Sequence, residues 1–114
     1  MDKLTDFFKL LSDETRLRIL VLLEHKKLCV CELCGIMDES QPKISKHLGK
    51  LRDMGLVKDE RQEQFIYYSL NIDNGLLKDI LEKIVLNIDN YPLLKSDTEK
   101  LSNTTKFIQV CKRK

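Results

Sequence analysis

The chain has 114 residues, 42% hydrophobic and 33% charged, with a formal net charge of +2. That length fits one domain with a modest core, which a dimer would enlarge, and so small a net charge leaves partner choice to local clusters. No apolar run approaches the eighteen or so residues needed to span a bilayer, and Met1-Asp2-Lys3 opens without the apolar stretch of a signal peptide. The expectation is a cytoplasmic protein, where disulfides are rare and clustered cysteines point to metal-binding, catalytic or redox roles.

In chain order, Leu4, Phe7, Phe8 and Leu11 recur at helical spacing. Ser12-Asp13-Glu14 has the form of an N-cap with acids in the first turn. The helix it opens carries Leu17, Ile19, Leu20, Leu22 and Leu23 and is expected to end near His25-Lys26-Lys27. A short helix over residues 30–37 and a turn at Asp38-Glu39-Ser40 come next. Ser40 can cap the following helix, and Pro42 is tolerated in its first turn. That helix buries Ile44, Leu48 and Leu51, turns Lys43, Lys46 and Lys50 outward, and stops at Gly55, a left-handed cap candidate. Two short helices joined by a tight turn form a helix-turn-helix. Between Gln41 and Arg52 stand four bases and no acid, which suits either nucleic acid or a merely solvated face.

After Gly55 the period becomes strand-like. Residues 56–60 and 65–70 are β-prone and flank the polar run Arg61-Gln62-Glu63-Gln64, so a β-hairpin is expected. The fold class is therefore mainly α with a β-hairpin wing (α+β), a winged helix-turn-helix. Asn74-Gly75 opens a further helix with a wide apolar stripe of Leu76, Leu77, Ile80, Leu81, Ile84, Val85 and Ile88. Such a stripe can pack on the monomer's own core or across a two-fold axis. The second placement is favoured, with Leu4, Phe7, Leu11, Leu76, Ile80, Ile84 and Ile88 as the expected homodimer interface. Tyr91-Pro92 breaks the helix. Residues 1–90 are expected to form the DNA-binding and dimerisation domain, and residues 91–114 a tail, weakly ordered or a short helix, ending in Cys111-Lys112-Arg113-Lys114.

Leu28-Cys29-Val30-Cys31-Glu32-Leu33-Cys34 places three thiols within six residues. The spacing is too tight for a zinc ribbon, and structural zinc wants four ligands. Trivalent arsenic or antimony wants three thiolates, because its lone pair fills the remaining direction, and thiolates select soft ions. On a helix Cys31 and Cys34 share a face, whereas Cys29 and Cys31 lie about 200° apart. Binding of one ion by all three must therefore unwind or re-aim the first turn, next to the DNA-reading helix. A helix N-terminus is expected to lower the thiol pKa. Buried small hydrophobes are the plain alternative. Glu32 is expected in solvent, His25 in a loop near the cysteines, and His47 as a structural or surface residue of the DNA helix.

These stretches together resemble the ArsR/SmtB metalloregulatory repressors, and within them the arsenite-responsive branch. Residues 28–34 are similar to its ELCVCDLC box, with Lys27 for the first Glu and Glu32 for the Asp. Leu11-Ser12-Asp13-Glu14-Thr15-Arg16-Leu17-Arg18-Ile19-Leu20 is similar to LSDPTRLRIL, with Glu14 for Pro. Ser40-Gln41-Pro42-Lys43-Ile44-Ser45-Lys46-His47-Leu48, with Leu51, is similar to the recognition pattern SQxxxSxHLxxL. The likeness covers roughly residues 4–88. It implies a homodimeric winged-helix repressor of its own resistance operon. As(III) or Sb(III) at Cys29, Cys31 and Cys34 would act as inducer, with no cofactor required for DNA binding. It also implies base contacts at Gln41, Pro42, Ser45 and Lys46. With Lys43, His47 and Lys50 on the helix and Arg61 on the wing, these form the candidate contact set for an imperfect inverted repeat of operator duplex. The family's wing usually carries Gly where Glu63 stands, which puts the wing contact in question. The zinc-sensing branch uses Asp and His on its last dimer helix, and residues 76–88 contain no His.

Two rivals share this fold: a thiol redox sensor, and a cadmium or lead sensor. Branches of the latter kind usually add an N-terminal cysteine, and residues 1–28 contain none. A thiol enzyme such as an arsenate reductase finds no phosphate-cradling glycine loop here, so a non-enzymatic role is expected.

Overall fold

The computed structural model describes residues 2–103; Cys111 and the rest of residues 104–114 lie outside the described residues. Helix α1 (Asp2–Leu11) meets α2 (Glu14–His25) at a capped corner. The Arg16 N–H donates to the Asp13 carboxylate at 3.1 Å, and the Arg16 side chain closes α1 by donating to the Leu10 carbonyl. Residues 19–23 are all buried, so α2 is apolar on every side and forms the hub of the core. His25 is the exposed last residue of α2 rather than part of a loop.

A strand of two residues, β1 (Leu28–Cys29), follows, then α3 (Val30–Met37). Asp38 in the left-handed region turns the chain into α4 (Gln41–Asp53), whose N-cap is Ser40. Ile44, Leu48 and Leu51 anchor α4 in the core. Gly55, at φ 76°, ends it in a Schellman turn. There the Leu56 N–H reaches the Leu51 carbonyl and the Gly55 N–H reaches that of Arg52. Strands β2 (Val57–Gln62) and β3 (Phe65–Leu70) pair from Val57 with Leu70 to Gln62 with Phe65. Arg61 and Gln62, expected in the connecting run, belong to β2, because ladder hydrogen bonds form without regard to side-chain polarity. The turn is two residues, with Glu63 at φ 58°. Antiparallel pairing of Leu28 with Tyr68 and Cys29 with Tyr67 adds β1 to the hairpin, giving sheet order β1-β3-β2.

Helix α5 (Gly75–Leu86) is capped by Asn74, whose side-chain oxygen accepts from the Leu76 and Leu77 N–H groups. Its apolar stripe divides. Leu77 and Leu81 enter the core, Ile80 and Ile84 are half-buried, and Leu76 and Leu86 stand 55% and 82% exposed. Ile88 lies beyond α5, in a single 3-10 turn (Ile88–Asn90). Phe7, expected at the dimer interface, is fully buried in the core, whereas its neighbour Phe8 is half exposed. Helix α6 (Pro92–Glu99) docks on α2 through Leu94 and a buried ion pair, with the Arg18 guanidinium donating to both Asp97 carboxylate oxygens at 2.8 and 2.9 Å. Among the described residues no helix is long and apolar enough to cross a membrane.

Candidate sensor and nucleic-acid interface

Cys29 ends β1 and is also the N-cap of α3. Its N–H donates to a Glu32 carboxylate oxygen at 3.0 Å, and its side chain accepts from the Glu32 N–H in return. This is a capping box with a thiol where serine or threonine usually stands. Glu32 is therefore buried, 3% exposed, and not the solvated acid expected from sequence. Cys29 is buried too. Burial pushes its thiol pKa up to about 11, the N–H of Glu32 opposes that rise, and the Glu32 charge adds to it. The lowering expected from the helix N-terminus is thus outweighed at this position.

Cys31 and Cys34 are half-buried, three positions apart on α3. Among the described residues no three His, Cys, Asp or Glu side chains are gathered closely enough to hold a metal ion. The donor set is three soft sulfurs along one and a half turns. A trigonal thiolate centre would require Cys31, which is disulfide-bonded here, to be reduced and the cap at Cys29 to open, that residue leading into the helix from extended backbone (φ −87°, ψ 167°). A cleft of about 370 Å³ opens beside it, lined by Cys29, Val30, Cys31, Gln41, Gln64, Phe65 and Ile66. Two of the three clustered cysteines, the first residue of α4 and the hairpin therefore border one space.

On α4 the side chains of Gln41, Pro42, Lys43, Ser45, Lys46 and Lys50 are exposed on the outward face, and Arg61 is exposed on the wing. Lys43 pairs with Glu39 at 2.9 Å, and Arg52 ties α4 to β2 through Asp59 at 3.2 Å. His47 departs from this group. It is half-buried near Asp13 and Arg16, and its Nδ1 is buried without a hydrogen-bond partner. Its pKa is lowered, first by burial, against the pull of Asp13 and with help from Arg16, Lys46 and Lys43. Its charged neighbours thus come both from the α1–α2 corner and from the basic surface of α4.

Sequence reasoning missed Glu32 and the pairing of Cys29 with the wing. Cys29-x-x-Glu32 does carry the capping-box spacing, so the first was findable. A two-residue strand leaves no periodicity to find.

Helix pair, hairpin and exposed basic helix define a winged helix-turn-helix domain, the class found in DNA-binding transcriptional regulators. The family profile described as "Bacterial regulatory protein, arsR family" matches residues 13–59. A 65-residue stretch is 54% identical to the arsenical resistance operon repressor of Escherichia coli K12, covering 56% of each chain. A 67-residue stretch is 54% identical to the arsenic resistance transcriptional regulator ArsR2 of Pseudomonas putida KT2440, covering 58% of each. HlyU of Vibrio cholerae N16961 superposes with a TM-score of 0.67 at 32% identity, covering 78% of this chain and 91% of that one. The chain belongs to the arsR family of bacterial regulatory proteins. It spans a little over half the length of the two curated relatives.

Proposed function

We propose that the protein is a cytoplasmic, homodimeric repressor that binds an imperfect inverted repeat and leaves it when trivalent arsenic or antimony is captured by Cys29, Cys31 and Cys34. The observation that carries this reading is the shared cleft, where Cys29 and Cys31 border Gln41 and the hairpin. In the reduced protein, three thiols exchange with As(OH)₃, forming three As–S bonds and releasing three waters. To join Cys31 and Cys34, Cys29 must give up its cap with Glu32 and shift within β1. Its pairing with Tyr67 then pulls on β3, and Gln41 is moved with the near end of α4. Lys43, Lys46 and Lys50 hold phosphates, while Gln41 and Ser45 read base edges in the major groove. The dimer face is Leu76, Ile80, Ile84 and Leu86 with Phe8, Leu4 and Leu11, and a symmetric dimer presents two recognition helices to half-sites about one DNA turn, or a multiple of it, apart.

The test is a gel shift on the gene's own upstream DNA, titrated with arsenite, antimonite, cadmium and zinc. Arsenite and antimonite should release the DNA, and Cys34→Ser should bind DNA normally yet ignore both. Release by arsenite at wild-type concentration from Cys34→Ser refutes the three-thiolate site. Release by oxidant or cadmium alone would move the protein to a different sensor class.

A further inference from the structure

Helix α3 is held very differently at its two ends. Its eight residues make little more than two turns, too few to be stable unaided. At the N-terminus, once the Cys31 disulfide is reduced, the hold is local, the Cys29–Glu32 box. At the C-terminus it is remote. The N–H groups of Asp38 and Glu39 both return to the Cys34 carbonyl, which leaves the Ile36 and Met37 carbonyls without partners in the helix. Lys100 Nζ, from the 3-10 turn Lys100–Asn103, donates to the Ile36 carbonyl at 3.3 Å. Arg18 Nη2 donates to the Met37 carbonyl at 3.4 Å. Arg18 is itself fixed by Asp97, which is 1% exposed and engages the guanidinium through both oxygens. Two cations at a helix C-terminus also suit its dipole.

We infer that Arg18, Asp97 and Lys100 are positioning residues of the sensor, holding the C-terminal end of α3 still so that thiolate capture is absorbed at its N-terminal turn. The inference rests on the metalloid reading above. A helix fixed at one end passes the displacement to Cys29, hence to β3 and the cleft at Gln41. A helix loose at both ends swings as a body to gather the three sulfurs and leaves the wing where it was. Asp97 and Lys100 lie beyond residues 13–59, the span the family profile matches.

The experiment uses the full chain, with the Cys31 disulfide reduced, and its upstream DNA. Arsenite binding is followed by thiolate–arsenic absorbance, and operator affinity is measured with and without saturating arsenite. Two variants are compared, Lys100→Met and the paired Arg18→Met/Asp97→Leu, because an apolar replacement of a whole buried ion pair is tolerated. Both should bind arsenite with wild-type stoichiometry and equal or tighter affinity. The ratio of operator affinities without and with arsenite should fall about tenfold. Lys100→Arg, which keeps the donor, should restore the ratio. A merely structural role would lower the melting temperature and leave that ratio untouched. If the paired variant does not fold, Lys100→Met decides alone. A wild-type ratio in variants that bind arsenite overturns the inference. A wild-type protein that arsenite does not release overturns the sensor reading and this inference with it.

Discussion

Replacing Glu32 by alanine separates the cap's contribution to folding from its contribution to sensing. The carboxylate is buried and accepts from the Cys29 N–H at 3.0 Å. Alanine leaves that buried donor unpaired, at a cost of about 2 kcal/mol. For a chain of this size the melting temperature should drop by about 10 °C. In the proposed mechanism arsenite capture opens the same cap, so in the variant that part of the work is already done. The arsenite dissociation constant should tighten by the same free energy, about thirtyfold. Glu32→Gln retains an acceptor oxygen and should stay near wild type in both respects. Thermal unfolding by circular dichroism and arsenite titration by absorbance measure the two quantities on one sample. A Glu32→Ala protein that loses stability while keeping wild-type arsenite affinity would show that Cys29 joins the trio without leaving its cap, and the route from thiol to wing would have to be abandoned.

Leu76→Glu acts on a side chain that is 55% exposed in the monomer. It should therefore leave the fold intact, abolish the dimer in sedimentation and weaken operator binding; an unperturbed dimer moves the interface elsewhere. Glu63→Gly relieves a left-handed residue at φ 58°, worth about 1–2 kcal/mol. Glycine's greater unfolded freedom offsets about 0.5–1, so a net gain of about 0.5–1 kcal/mol should appear in urea unfolding, and a loss contradicts the turn geometry. His47 has a lowered pKa in the native state, so just below about pH 6.5 the unfolded chain binds a proton the native chain refuses. Stability is complete above that pH and declines as pH falls through 6.5 toward the native value. His47→Gln should flatten this part of the pH profile of melting temperature, and an unchanged slope assigns it to another group.

Much of the architecture was legible because it is written locally. Asp13, Ser40 and Asn74 are caps by residue type, Gly55 is a left-handed stop, and the change of period after it marks the hairpin. What was not legible depends on which neighbour a face meets. Phe7 and Phe8 are adjacent and equally apolar, and only the position of α2 decides that Phe7 is core. The α5 stripe is wider than the core can cover: Leu77 and Leu81 are buried, and Leu76 is left exposed. The Arg18–Asp97 pair joins residues 79 apart, for which a single sequence carries no local signal. At the candidate site the three thiols were visible as a cluster. The burial of Cys29 and Glu32 was not, since it follows from a strand pairing of only two residues.

The brevity of β1 has a consequence for recovery after exposure. Its two pairs with β3 can be surrendered while the six pairs of β2 with β3 persist, so the hairpin survives a switching event as a template. In the proposed mechanism, removal of the metalloid leaves Leu28 and Cys29 only to re-dock on a strand that stays paired with β2. Under the proposed reading, the released protein regains its resting fold from a standing template rather than from an unfolded segment.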